Sequence, residues 1–140
     1  MIKEFVWGNM SNQSIEKEIQ TESGRVVLHK NGLVYFHMRD NLSIDVEVAK
    51  QMVESVRALD GSGQARLLFI YGHNSDLSFA AQRYFATTKD LVSRMAFVSH
   101  NRLQAEMAQF LVNLLRALRS TYEFRIFHQV ADAEEWLLNE

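Results

Sequence analysis

The sequence predicts one α/β domain on a mixed β-sheet, with an N-terminal antiparallel meander followed by alternating helices and strands, the helices packed on the sheet. Three observations lead there. Leu67 to Tyr71 is an unbroken apolar run, the pattern of a strand covered on both faces and placed mid-sheet. Asn31-Gly32 separates two segments rich in β-branched and aromatic residues, a strong short-range hairpin signal. Downstream, segments with helical periodicity alternate with short apolar runs, as in parallel sheets joined by helical crossovers.

The elements follow in order. Residues 1–14 have no clear period and carry Gly8, Asn9, Ser11 and Asn12, so they read as a flexible arm whose anomaly is Phe5-Val6-Trp7. Those side chains dock either on the chain's own core or sheet edge, or on a partner subunit. Residues 15–140 form the domain. Ile15 to His29 and Leu33 to Met38 supply the meander, broken at Ser23-Gly24 and Lys30-Asn31-Gly32. A first helix has Asp45 as N-cap, apolar Val48, Ala49, Met52, Val53, Val56 and Leu59 on one face, and a Gly61-containing end. Ser78 caps a second helix running to about Lys89, and Ser93 to Val98 is a strand. Asn101 opens the longest helix, to about Ser120, with Leu103, Met107, Phe110, Leu111, Leu114, Leu115 and Leu118 expected inward. Val112 and Ala108 widen its apolar arc, which suits a second contact surface or a position wedged between sheet and helix. Phe124 to Phe127 is the last strand and Ala131 to Leu138 a short helix that folds back Trp136 and Leu137. Right-handed crossovers make the strands at Leu67, Met95 and Phe124 parallel.

Composition narrows the function classes. With 140 residues, 47% apolar and 23% charged, the chain has enough material for a self-sufficient core. No apolar run approaches the roughly 20 residues of a membrane-spanning helix, and the start lacks a secretory h-region, so a cytoplasmic location is expected. The absence of cysteine excludes disulfides, zinc ribbons, iron–sulfur clusters and a thiol nucleophile. A formal net charge of -2 gives no field that attracts nucleic acid.

The opening hairpin, the helix VAKQMVESV, the strand RLLFIY, the AQRYFAT helix, the strand MAFVSH, the FLVNLLRAL helix and the ending FHQVADAEEWL resemble, in order and spacing, small bacterial STAS-like or SpoIIAA-like proteins of unassigned function. The likeness spans roughly residues 15–139. In the anti-sigma-factor antagonists of this fold, a partner kinase phosphorylates a serine in an Asp-Ser-Ser/Thr-Gly motif at the helix start after the central strand. The matching stretch here is Asn74-Ser75-Asp76-Leu77-Ser78-Phe79, with Ser78 near the equivalent place and neither the motif nor its glycine present. The resemblance implies a protein-interaction or regulatory role, with His73, Asn74, Ser75, Asp76 and Ser78 as the recognition loop. Ser78 has the structural reading of a helix cap beside the regulatory one.

A second constellation comes from the residues alone. His73, His100 and His128 each lie at or just beyond the carboxyl end of a predicted parallel strand, where open α/β sheets bind ligands. Three converging imidazoles would make a zinc site with an open position, and so a metal-dependent hydrolase. The competing readings are hydrogen-bonding loop residues, or an anion or ligand rim of Ser99, His100, Asn101, Arg102 and His128 at a helix start. His73, Ser75 and Asp76 have the residue types of a hydrolase triad but sit on one loop, and Gly61-Ser62-Gly63 is no phosphate loop. The expectation is therefore a noncatalytic interaction domain without cofactor, assembled as a homodimer through the arm or the Ala108 to Leu118 arc, with an unknown protein partner. A small-molecule or lipid carrier is the alternative, for which an apolar cavity behind the long helix would be the sign.

Overall fold

The computed structural model describes residues 15–120 and 122–139, so the arm at 1–14 with Phe5-Val6-Trp7 lies outside the described residues. The main sheet has six strands in the order β1 (Ile15–Thr21), β2 (Gly24–His29), β3 (Leu33–Met38), β5 (Ala65–Ile70), β7 (Val92–Val98), β8 (Glu123–Phe127). The first three form an antiparallel meander, and β3, β5, β7 and β8 run parallel. The Asn-Gly signal is realised directly: Gly32 adopts φ 92° and the Asn31 side chain accepts the Leu33 N–H at 3.0 Å. Two further strands, β4 (Ser43–Ile44) and β6 (Asp76–Leu77), pair parallel in a separate bridge beyond the main sheet.

Helices α1 (Val46–Leu59), α2 (Phe79–Thr87) and α3 (Arg102–Ala117) cover one face, and α4 (Val130–Leu138) packs on the other. The predicted caps of the first three are present: the side chains of Asp45, Ser78 and Asn101 accept the N–H groups of Val48, Ala81 and Gln104. The helix ends fall a little short of expectation, at Thr87 and Ala117.

Strand alternation divides the core. Val34, Phe36, Leu67, Phe69, Met95 and Phe97 meet α1 to α3, while Val27, Tyr35, Leu68, Ala96 and Val98 point to the α4 side. A void between the sheet and α1 to α3, beside Phe36, Phe69 and Leu111, measures about 20 Å³. One water fills such a void and a lipid chain does not.

The facing of α3 differs from expectation. Gln104, Ala108, Leu111 and Leu115 are its buried residues, whereas Leu103, Phe110 and Leu118 are 65%, 41% and 48% exposed. Two apolar arcs lie side by side on this helix. The arc containing the small Ala108 is the one that permits close approach to the sheet, and it leaves the bulkier arc facing out.

α4 is held at its carboxyl end. Arg66 donates to the Leu137 carbonyl at 2.7 Å, and Arg94 donates to those of Trp136 and Asn139 at 2.8 and 2.6 Å. Cations at a helix C-terminus satisfy its free carbonyls and oppose the dipole's negative end. At the other end Gln129 makes no side-chain capping hydrogen bond. Among the described residues, no helix is long and apolar enough to cross a membrane.

Candidate functional site

The loops that leave β3 and β5 are fastened to each other at the carboxyl end of the sheet. The Asn41 N–H donates to the His73 carbonyl at 2.8 Å, the His73 N–H to Asp40 Oδ1 at 2.8 Å, and Asn74 Nδ2 to Asn41 Oδ1 at 3.0 Å. Both asparagines take left-handed backbone, φ 56° at Asn41 and 55° at Asn74, which this residue type tolerates better than most. Ser75 is 6% exposed; its hydroxyl donates to the Arg39 carbonyl at 2.9 Å and accepts the Leu42 N–H at 3.1 Å. Within the predicted recognition loop, therefore, Ser75 is a buried staple and Ser78 a cap, while His73, Asn74 and Asp76 are exposed. Ser75→Ala should cost about 2 kcal/mol, because it removes two hydrogen bonds made by a buried hydroxyl to the backbone of Arg39 and Leu42. A lower urea midpoint at unchanged denaturant slope would show this.

Of the three predicted rim histidines, two come together. His73 and His100 stack with centroids 4.1 Å apart and planes 19° from parallel. His100 Nε2 lies 2.6 Å from the Tyr71 carbonyl, to which it donates. His128 instead meets Ser99 Oγ through Nδ1 at 3.4 Å. The three histidines of the alternative zinc reading, His73, His100 and His128, thus do not converge, and among the described residues no group of three or more His, Cys, Asp or Glu side chains is placed to hold a metal ion. Of the predicted anion rim, Asn101 accepts the Gln104 N–H on its side-chain oxygen as the cap of α3, and Arg102, with a 92% exposed side chain, turns along α3 to Glu106 at 3.1 Å.

Gln104, which is not among the residues expected at this site, ties this end together. Its amide donates to the Gly72 carbonyl at 2.8 Å and its oxygen accepts the His100 N–H at 2.9 Å, while the side chain is 2% exposed. The available signal was a glutamine in helical register with Ala108, Leu111 and Leu115, a polar group on an apolar arc.

A groove of about 480 Å³ opens on the α4 side of the sheet, where α4 covers β5, β7 and β8 and leaves the meander half. Its floor is the alternation of β2 and β3: Arg25 pairs with His37 and Val27 with Tyr35 across the strands. His29 packs on Tyr35 at 4.1 Å, and Tyr35 stacks on His37 at 6.0 Å and 15°. Tyr35 Oη donates to Glu134 on α4, Val130 forms the same wall, and His73 and His100 stand at the mouth with Asp40. Arg25 is ion-paired in two-pronged fashion to Glu18 at 2.7 and 3.1 Å.

Burial is the main influence on the ionisation of the floor. It pushes His37 down from 6.5 to about 4, with Arg25 and His29 adding to the effect and Glu18 opposing it. Burial likewise lowers His29, against the pull of Glu134, and raises Tyr35 well above the ordinary phenol range, helped by Glu134. His37 is thus neutral in the fold, whereas the unfolded chain binds its proton at the ordinary value. Stability should be fully present above pH 6.5 and fall as pH drops from there toward 4. At roughly 1.4 kcal/mol per unit the loss is at most about 3.5 kcal/mol. Urea midpoints across that window should flatten in His37→Gln.

A separate apolar patch lies on α2 and α3. Phe79 is 58% exposed and packs its ring against Phe110 at 5.5 Å, and the exposed Leu103 shares the Phe110 side of α3.

Residues 27–139 match the family model described as Domain of unknown function (DUF7793). The chain belongs to this family. The matched stretch begins within β2 and contains the loops, the stacked histidines, the apolar patch and α4; Ile15 and Arg25 are the described groove residues outside it. Comparison with curated proteins and with solved structures finds no match.

Proposed function

We propose that this DUF7793 chain is a noncatalytic protein-interaction domain of the STAS-like kind, acting through the patch formed by Phe79, Leu103 and Phe110 beside the exposed loop residues His73, Asn74 and Asp76. The observation that carries the reading is the exposure of these three large side chains, 58%, 65% and 41%, as neighbours on α2 and α3. Clustered apolar exposure rimmed by polar loops marks protein contact surfaces, whereas scattered single side chains do not. The element order and the cap at Ser78 support the STAS-like part. The phosphorylation reading is confined to Ser78, because Ser75 is buried and bonded on both sides.

The test is affinity capture from cell extract with the wild-type chain and with the Phe79→Asp/Phe110→Asp variant. A partner held by the first and lost by the second, with circular dichroism unchanged, supports the proposal. Equal capture by both overturns it. A second copy of the chain is the partner in the homodimer version, which light scattering at micromolar concentration tests: the wild type gives twice the monomer mass and the variant gives the monomer mass.

A further inference from the structure

The groove over β2 and β3 is separate from the apolar patch, and its chemistry specifies a ligand. We propose that it binds a small, flat, positively charged ring compound carrying N–H donors, such as an aryl amidinium or a protonated aminoheterocycle.

Size and shape come first. About 480 Å³ lies within the roughly 300–1,000 Å³ of small-molecule sites. The floor is a sheet surface paved by the rings of His29, Tyr35 and His37, and Val27 and Ile70 lie beside them. A flat molecule fits a flat floor, and the His73–His100 stack at the mouth presents a further ring face.

Charge sets the sign of the ligand. Arg25 is the sole Lys or Arg among the described groove-lining residues, and Glu18 neutralises it through both carboxylate oxygens. Burial holds His37 neutral and lowers His29. The formal charges that remain on the walls are Asp40 and Glu134, and neither forms an ion pair with a lysine or arginine among the described residues. An anion entering the groove would meet both carboxylates; a cation is drawn by them.

Hydrogen bonding sets the donor pattern. Glu134 takes the Tyr35 hydroxyl on Oε2, and its Oε1 receives no donor from the described residues. Asp40 takes the His73 N–H on Oδ1 and leaves Oδ2 in the same condition. Carboxylates so placed accept paired N–H groups from a planar cation, the geometry that makes guanidinium and amidinium contacts strong.

The experiment titrates the intact chain with benzamidinium and, separately, with benzoate, a flat ring of similar size and opposite charge, following backbone amides by NMR. Expected are saturable shifts at His29, Tyr35, His37 and Glu134 with benzamidinium and none there with benzoate. Glu134→Gln keeps an acceptor for Tyr35 and should weaken benzamidinium at least tenfold, while Glu135→Gln, the same charge change on the exposed side of α4, should stay within twofold. Asp40→Asn, which keeps an acceptor for the His73 N–H, should weaken binding several-fold and serves if Glu134→Gln fails to fold. Equal shifts with benzoate, no saturable shift in the groove at millimolar benzamidinium, or equal losses in the Glu134 and Glu135 variants would overturn the proposal.

Discussion

Gly72→Ala should lower the thermal midpoint by about 10 °C or more, the loss expected for ~3–5 kcal/mol in a domain of this size. A Cβ built at Gly72 falls 2.1 Å from the Arg39 carbonyl oxygen, 2.5 Å from its carbon and 2.8 Å from the Met38 carbonyl oxygen. All three are backbone atoms, so no side-chain rotation relieves the overlap. The loops after β3 and β5 must separate, and the hydrogen bonds that join Asp40, Asn41, His73 and Ser75 go with them. Gly61→Ala is the control: its Cβ meets nothing nearer than the Arg57 carbonyl oxygen at 3.5 Å, an ordinary contact. Calorimetry of the two variants should therefore differ sharply. Similar midpoints would mean that the loops part at little cost.

Phe97→Ala should cost about 3–5 kcal/mol, the range for deleting a fully buried ring. Phe97 is 1% exposed at the centre of an aromatic cluster, with the rings of Phe69, Tyr71 and Phe124 at 4.7, 4.9 and 5.0 Å. It also borders the 20 Å³ void under α3, so truncation enlarges an existing gap in an apolar surround. Cavities of that kind stay dry and take up small apolar solutes. Benzene should consequently raise the denaturation midpoint of the variant and leave that of the wild type unchanged. A cost below about 1 kcal/mol would show that the helices collapse into the space.

Both predictions concern parts of the molecule that differ in how far the sequence discloses them. The caps at Asp45, Ser78 and Asn101 were legible because an N-cap is a local device: the side chain satisfies an N–H three residues on. The parallel order of β5, β7 and β8 was legible because helical crossovers have a preferred hand. Gly72 was not, since its constraint comes from the backbone of Arg39, a contact between chain segments with no local signature. The outward turn of Leu103 and Phe110 was hidden for a related reason. Periodicity shows that α3 carries an apolar arc, and the choice between adjacent arcs depends on the close approach that Ala108 allows.

The candidate site divides the same way. Strand ends predicted the place of His73, His100 and His128, and the first two do meet. Whether three side chains converge depends on loop geometry, and His128 turns to Ser99. The groove was hidden because its walls come from β2, β3, two crossover loops and α4. A trace of it stands in the alternation of β3, where Val34, Phe36 and Met38 face the helices while Tyr35 and His37 face away.

The anchoring of α4 gives the groove a mechanical property. Three arginine hydrogen bonds clamp the carboxyl end, and the amino end, with Val130 and Glu134 in the groove wall, lacks a side-chain cap. A helix fastened this way frays from the free end. Amide hydrogen exchange should quicken from Leu137 back toward Val130, so that the groove is bounded on one side by a latch whose hinge lies at Arg66 and Arg94.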